Sequence, residues 1–368
     1  MHLKSIKLTN FKNYEQDSAL FSAQLNCFVG LNGMGKTNLL DAIYYLCVGK
    51  SYFAGSDRNV IRKVEGSDFF RVEGQFDRLE KEEYIVAKVV PGKRKEIERN
   101  KVPYQKLSEH LGNFPVVMIA PFDVDIALEG SESRRRFLDN TLSQLDITYL
   151  SALIQYNKLL SQRNSALKQF AEQRRFDKAL LEVYDRQMIP LGNQIFEQRR
   201  DFLASFETPF QQLHQAISAN KEGVSFRYVS QLSDQSFEEL LVAALEKDRI
   251  LQRSTIGVHK DDVQFLIDEM PLKRFASQGQ LKSFVLALKL AQYQALRKDK
   301  SIAPILLLDD IFDRLDGNRV TQLIRLLLEQ DFGQIFITDT DEHRMEQLIA
   351  AFNTDYRKFK IVEGRIRC

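Results

Sequence analysis

The sequence predicts an α/β fold in which a mixed-sheet domain is assembled from both ends of the chain around a mainly helical insert. Three observations carry this reading. Strand patterns fill the first third and return beyond about residue 255; residues 131–219 are helical in pattern, rich in Leu, Gln, Arg and Glu; and an apolar strand run gives way abruptly to a glycine-rich loop and a helix. The expected divisions are 1–115 and 255–368 for the two parts of the α/β domain and 116–254 for the helical lobe.

Taken in order, Ile6 and Leu8 share one face of a first strand, with Ser5, Lys7 and Thr9 on the other. Leu25–Val29 reads as a buried strand that stops at Gly30. The segment after the loop places Leu39, Leu40, Ile43, Leu46 and Cys47 on one helical face. Phe69–Phe76, Tyr84–Val90 and Lys95–Val102, punctuated by Asp-Arg and Pro-Gly, predict an antiparallel meander. The helical texture is interrupted at Pro190-Leu191-Gly192, where proline is expected to kink or end a helix. Val263–Ile267, Ile305–Leu308 and Gln334–Thr338 supply the later strands.

Composition narrows the function classes. The chain of 368 residues is 44% hydrophobic and 28% charged, which is enough apolar material for a packed core. Its net charge is only +2, so nucleic-acid binding requires a local basic patch. Cys27, Cys47 and Cys368 form no CxxC pair and no metal-ligand spacing, which argues against a disulfide scaffold or a zinc site. The lysine-bearing N-terminus lacks the apolar core of a signal peptide, and no apolar run reaches the roughly 18–20 residues of a membrane span. A cytoplasmic location is expected.

Gly30-Leu-Asn-Gly-Met-Gly35-Lys36-Thr37 is a GxxxxGKT phosphate loop with a strand before it and a helix after it. Glycines let successive backbone N–H groups turn toward phosphate oxygens at a helix N-terminus. Lys36 brings a compact positive charge to the β- and γ-phosphates, and Thr37 offers its hydroxyl to Mg²⁺. Gly30, Asn32, Gly33, Gly35, Lys36, Thr37 and Asn38 are the candidate nucleotide-binding residues here. Ile305-Leu-Leu-Leu308 has the pattern of a parallel strand buried on both faces, ending at Asp309-Asp310 where open α/β sheets bind ligands. Asp309 is the candidate Mg²⁺ partner, and Asp310 the candidate base or positioner of an attacking water.

Ser277-Gln278-Gly279-Gln280 opens a helix with Leu281, Phe284, Val285, Leu288 and Ala291 at helical spacing. Ser277 is a good helix N-cap on its own terms. The order of phosphate loop, Ser-x-Gly-Gln and acidic strand resembles the ABC ATPase superfamily. There the serine and glycine reach the γ-phosphate held by a partner subunit, so Ser277, Gly279 and Gln280 join the candidate nucleotide residues. The resemblance also puts Asp313-Arg314-Leu315-Asp316 at the dimer-lining D-loop and Thr338 at the switch-histidine position. His343 reads as a solvated residue at a helix start.

A narrower likeness covers nearly the whole chain. Leu8-Thr-Asn-Phe-Lys-Asn-Tyr14, the phosphate loop, Lys50-Ser51, Ala120-Pro121-Phe-Asp-Val124, Arg134-Arg-Arg-Phe-Leu-Asp139, residues 156–164, Gly257-Val-His-Lys-Asp-Asp262, Ser277–Gln280 and residues 306–316 occur in the order of the RecF family, the bacterial recombination-mediator ATPases. This resemblance implies an ABC-type head with a short helical lobe II and weak, DNA-stimulated ATPase activity with Mg²⁺. It implies an ATP-dependent homodimer that clamps DNA near single-strand gaps, RecR- and RecO-type partners, and no membrane. Relatives of the SMC type insert long coiled coils between the motif halves; this chain does not. Asp310 stands where ABC ATPases usually carry glutamate, one methylene longer, which predicts slow hydrolysis.

Lys93-Arg94-Lys95 with Arg99 and Lys101, and Arg58 with Arg62 and Lys63, are candidate DNA-phosphate contacts. Arg134-Arg135-Arg136 could serve DNA, lobe packing or the nucleotide. Two other functions keep the same nucleotide motifs: the soluble subunit of an ABC transporter, and a non-hydrolysing scaffold stapled by ATP.

Overall fold

The computed structural model describes residues 1–64, 66–218, 222–300, 302–312, 317–329, 332–352 and 354–367. The D-loop segment Asp313–Asp316 and Cys368 lie outside them. Strands in chain order are β1 (His2–Phe11), β2 (Tyr14–Leu20), β3 (Leu25–Val29), β4 (Phe70–Arg78), β5 (Lys81–Val89), β6 (Glu96–Arg99), β7 (Val102–Pro103) and β8 (Val116–Ile119). They continue as β9 (Val224–Val229), β10 (Asp262–Ile267), β11 (Met270–Pro271), β12 (Ile305–Leu308), β13 (Ile335–Asp339), β14 (Tyr356–Val362) and β15 (Arg365–Arg367). The helices are α1 (Lys36–Val48), α2 (Asp125–Leu128), α3 (Ser131–Leu145), α4 (Ile147–Gln173), α5 (Lys178–Ser218), α6 (Phe237–Leu251), α7 (Leu272–Phe275), α8 (Gln278–Lys300), α9 (Gly317–Glu329) and α10 (Glu342–Phe352).

The chain divides into two compact units: 1–124 with 212–221 and 277–368, and 125–211 with 222–276. The first holds two sheets. One is antiparallel, ordered β2-β1-β4-β5-β6-β7. The other runs β15-β14-β3-β13-β12-β8, with β14, β3, β13, β12 and β8 mutually parallel and β15 antiparallel at the edge. Helix α1 packs against strands of both sheets. The sequence marked one apolar face on it; the structure buries Ala42, Tyr44, Tyr45 and even Asp41 as well, because both sides are covered.

The meander forms with one difference. The single run 95–102 is instead β6 and β7 around Asn100-Lys101, whose φ values of 54° and 68° make a two-residue hairpin turn. Asparagine tolerates the left-handed region because its short polar side chain bonds locally; here Asn100 Oδ1 accepts from the Tyr84 N–H at 2.8 Å.

The second unit carries α3, α4, α6 and the sheet β11-β10-β9, besides α5 up to residue 211. Both sequence divisions shift in the structure. Val116–Ile119 pairs in parallel with β12 in the first unit, and β10 pairs antiparallel with β9 in the second. Strand partners far away in sequence decide membership, and no local pattern reveals them. Helix α5 also runs unbroken through Pro190 and Pro209. Leu181, Met188, Ile195, Leu203, Phe206 and Phe210 stay buried along it, so a continuous apolar face outweighs the lost N–H at each proline.

His110 is a buried device of the first unit. Its Nε2–H donates to the Leu46 carbonyl at 2.7 Å, satisfying an acceptor in the last turn of α1. Nδ1 has no partner among the described residues, and burial pushes the imidazole down to about 4. The unfolded chain therefore binds the extra proton between about pH 6.5 and about pH 4, so stability from this residue is present near neutrality and lost as pH falls through that window. His110→Leu is expected to lower the melting midpoint at pH 7.5, consistent with about 1–3 kcal/mol for an orphaned buried carbonyl. Its midpoint should also fall less steeply than the parent's between pH 6.5 and 4.5; parallel slopes in a pH series of melts would rule the titration out.

Candidate nucleotide site

Parallel order places the chemistry. Strand β13 lies between β3, which leads into the phosphate loop, and β12, which ends at Asp309. All three run the same way, so Gly30, Asp309 and Thr338 emerge at one sheet end. Thr37, in the first turn of α1, donates its hydroxyl to both carboxylate oxygens of Asp309 at 2.9 and 3.0 Å. These residues are 272 apart in sequence. Burial chiefly pushes the Asp309 carboxyl up to about 6, against the Thr37 hydrogen bond; Asp310 pushes it the same way as burial, while Thr338 and Lys36 pull it down.

Lys36 is buried and folds over its own loop, its Nζ donating to the carbonyls of Gly30 at 2.8 Å and Leu31 at 3.2 Å. Leu31, Asn32 and Gly33 form the exposed crest. The loop is braced from two turns distant in sequence. Asn13 donates to the Met34 carbonyl at 3.0 Å and accepts from Asn38 Nδ2 at 2.7 Å, while the Tyr14 hydroxyl donates to the Gly35 carbonyl at 3.0 Å. Gly35 has φ 116°, and a Cβ there would stand 2.5 Å from Asn13 Nδ2, so both backbone and space require glycine. From the other side, the Gly364 N–H donates to the Met34 carbonyl at 2.9 Å.

Asp41 in α1 anchors the same region: Lys12 pairs with it at 2.7 Å, and Ser51 Oγ and the Tyr52 N–H donate to it at 2.6 and 2.7 Å. Tyr52 bonds Asp123 through its hydroxyl, and the buried Lys289 of α8 donates to that hydroxyl at 3.2 Å.

Asp310 adopts φ 40°, a left-handed conformation that aspartate tolerates better than most residues. Its N–H donates to Thr338 Oγ1 at 2.9 Å, and that hydroxyl lies 2.9 Å from Asp309 Oδ1 and 3.3 Å from Asp310 Oδ1. A single O–H thus faces both candidate carboxylates. Thr338 is fully buried. His343 is exposed in the first turn of α10, as the sequence suggested.

Ser277 and Gln280 form a reciprocal cap on α8: the Gln280 N–H donates to Ser277 Oγ at 3.2 Å, and the Ser277 N–H to Gln280 Oε1 at 2.6 Å. Among the described residues Ser277 has no hydrogen bond to residues 30–38. Its side chain is exposed, and a Cβ on Gly279 would fall 2.4 Å from Arg319 Nη1.

The structure separates the basic candidates. In the second unit Arg134 forks onto Asp262 at 2.7 and 3.0 Å and Arg135 donates to the Asp261 carbonyl, so both tie α3 to β10. Arg136 pairs with Glu132 on an exposed face. In the first unit Lys95 pairs with Asp57 at 2.7 Å and Arg99 forks onto Glu83, while Arg62 reaches Glu15 at 3.3 Å. Arg58, Lys63, Lys93 and Lys101 are exposed. The sequence reading had missed Asn13, Lys12 and the turn at Gly364 as supports of the loop. The first two lie in the Leu8–Tyr14 segment it singled out, but nothing local to Gly364 marks it.

Comparisons with known proteins bear on the family and the fold. The family model of the RecF/RecN/SMC N terminal domain matches residues 2–360. A Flavobacterium johnsoniae protein named DNA replication and repair protein RecF is 44% identical over 361 residues, covering 98% of this chain and 100% of that one. A Parabacteroides distasonis protein of the same name is 43% identical over 367 residues, covering 100% and 99%. Among solved structures, the recombination mediator protein RecF-ATPrS in the RecFOR pathway is similar with a TM-score of 0.89 at 29% identity, covering 100% of this chain and 97% of the other. The SMC head domain from Pyrococcus furiosus bound to the C-terminal domain of ScpA, with a TM-score of 0.57 at 18% identity over 100% and 95% of the two chains, shares the ABC-type fold. No described helix is long and apolar enough to cross a membrane.

Two substitutions probe the site. Asn13→Ala should weaken ATP binding several-fold, consistent with about 1 kcal/mol per lost hydrogen bond, while leaving the fold intact. Thr338→Val keeps the shape but removes the hydroxyl between Asp309 and Asp310; about a tenfold loss of ATP affinity is expected, restored by Thr338→Ser. Calorimetric titration giving parental affinity for both variants would show that neither contact supports the site.

Proposed function

Because the chain belongs to the RecF family, whose relatives are DNA replication and repair proteins, we propose that it is an ATP-driven, DNA-binding switch of recombinational repair. The observation that carries this is the Thr37–Asp309 pair: the phosphate loop and the acidic strand meet with the spacing that nucleotide chemistry requires. Lys36 and the loop N–H groups bind the phosphates. Hydroxyl and carboxylate oxygens are hard donors suited to Mg²⁺, so Thr37 and Asp309 would hold the ion. When bound, it would neutralise charge developing on the phosphate oxygens. Asp310 orients the attacking water, and its short side chain makes hydrolysis slow.

Ser277, Gly279 and Gln280 cap the γ-phosphate of a second copy, so that ATP stabilises a homodimer through contacts absent in the monomer. An exposed serine whose own partners are confined to its helix start is free to take that role. The dimer clamps DNA near single-strand gaps without reading sequence, and hydrolysis reopens it. Partners of the RecR and RecO type, recombinase loading and a cytoplasmic location complete the reading.

Light-scattering mass with and without Mg-ATP tests it. Asp310→Asn should retain ATP, slow turnover about 10²- to 10⁴-fold and hold the dimer; unchanged turnover would remove Asp310 from catalysis. Lys36→Ala should weaken ATP binding about 10- to 100-fold, as expected for charge-assisted contacts. Ser277→Asn preserves a good N-cap but replaces the hydroxyl, so full stability with a lost dimer is expected. A stable dimer in Ser277→Asn would reduce that serine to a cap, and a monomer under every condition would remove the capping in trans altogether.

A further inference from the structure

The hairpin of β14 and β15 carries cations that its own packing does not explain. Lys360 stands directly across from Arg367 in the antiparallel register, and Arg365 lies two residues from Arg367 on the same face. Like charges directly opposite each other on a sheet are destabilising. All three side chains are exposed, and among the described residues none has a carboxylate at ion-pair distance. Acids do lie nearby: Glu363 sits in the hairpin turn, and Glu342 feels the charge of Lys360. Glu342 and Glu346 of α10 both hold Lys358, at 3.1 and 3.0 Å. Beside Arg365, an open depression is lined by Lys7, Glu15 and Asp17. There Glu15 pairs with Arg62 at 3.3 Å, and Asp17 accepts from the Ile366 N–H at 2.6 Å and the Ser18 N–H at 2.8 Å. A fold that places Lys360, Arg365 and Arg367 exposed on one face, none of them closed into an ion pair among the described residues, presents a cationic patch to an anion from outside.

The same hairpin touches the phosphate loop. Its turn, Glu363-Gly364, donates from Gly364 N–H to the Met34 carbonyl at 2.9 Å and from Glu363 N–H to Met34 Sδ at 3.4 Å. The approach is close: Gly364 has φ 70°, and a Cβ there would lie 2.4 Å from the Asn13 carbonyl oxygen. Met34 immediately precedes Gly35 and Lys36. A load on the hairpin therefore acts on the backbone that holds the nucleotide phosphates.

We infer that the β14–β15 hairpin is a contact for the DNA phosphate backbone, and that the Glu363-Gly364 turn transmits that contact to the phosphate loop. The inference rests on the DNA-binding reading above and adds its site and its coupling. Lysine and arginine without base-reading partners fix the duplex without selecting sequence. Bound phosphates also relieve the repulsion between Lys360 and Arg367.

The test compares the full-length parent, the triple variant Lys360→Gln/Arg365→Gln/Arg367→Gln, and Lys93→Gln/Lys101→Gln as a control patch. Affinity for a gapped duplex with Mg-ATP is followed by fluorescence anisotropy across salt concentration. The triple variant should lose roughly 2–3 units of slope in log affinity against log salt, near 0.9 per phosphate contact, and bind about 10- to 100-fold more weakly at fixed salt. Its ATP-dependent mass should match the parent's, and its melting temperature should be equal or higher, since a repulsion has gone. At saturating DNA its ATP turnover should no longer be stimulated. An unchanged slope in the triple variant, or a loss confined to the control patch, overturns the contact. Full stimulation at saturation overturns the coupling. A parent that dimerises with ATP yet binds no DNA sinks the underlying reading and this inference together, whereas a parent that binds with an unaffected triple variant sinks only the inference.

Discussion

The nucleotide end of this protein depends on a backbone curl that no single segment could hold. Between Gly30 and Gly35 the chain uses conformations open mainly to glycine, with φ of 155°, 79° and 116° at residues 30, 33 and 35. Such a segment has no regular ladder of its own, so its shape must be imposed from outside. Here the constraint comes from side chains and turns at both ends of the chain: Asn13 and Tyr14 after β1, and Gly364 after β14. Their common target is the carbonyl of Met34 or Gly35, so these braces do not occupy the loop N–H groups, of which that of Met34 donates to the Leu31 carbonyl at 3.4 Å.

That constraint explains why α1 is so deeply enclosed. Two sheets cover it, and its only buried carboxylate, Asp41, is tied to Lys12, Ser51 and Tyr52. Moving α1 would break this network and shift Thr37 away from Asp309. The helix that presents the phosphate site is thus rigid by packing and by buried polar bonds together. At the end of β12, Thr338 performs a comparable service, linking Asp309 to the strained turn at Asp310.

The second unit uses buried charge differently. Arg199 contacts Asp139, Tyr149, Asp261 and the Val258 carbonyl, and Arg163 contacts Asp185, Asp248 and Ser254. Several segments that mark the family therefore meet in one structural network. Gly257 belongs to it for a steric reason, since a Cβ there would fall 2.3 Å from the Tyr156 hydroxyl. Breaking one member of such a network leaves an unpaired buried charge.

The sequence by itself determined the phosphate loop, the acidic strand and the Ser-x-Gly-Gln helix start, because each is a local pattern whose chemistry demands fixed residue types at short spacing. It also determined the split arrangement of the α/β domain, since strand texture at both ends is visible without pairing. Of the two outcomes expected at Pro190, an end to the helix does not occur, because a continuous buried face along α5 outweighs a local breaker. Tertiary structure alone decided which strands share a sheet, that β8 joins β12 while β10 joins β9, and that Asn13 and Gly364 brace the loop. It also decided which arginines are engaged by nearby carboxylates and which cations stand without them. These are outcomes of long-range register and packing. Residues hundreds of positions apart acquire their roles only when hydrogen-bond geometry and excluded volume bring them together.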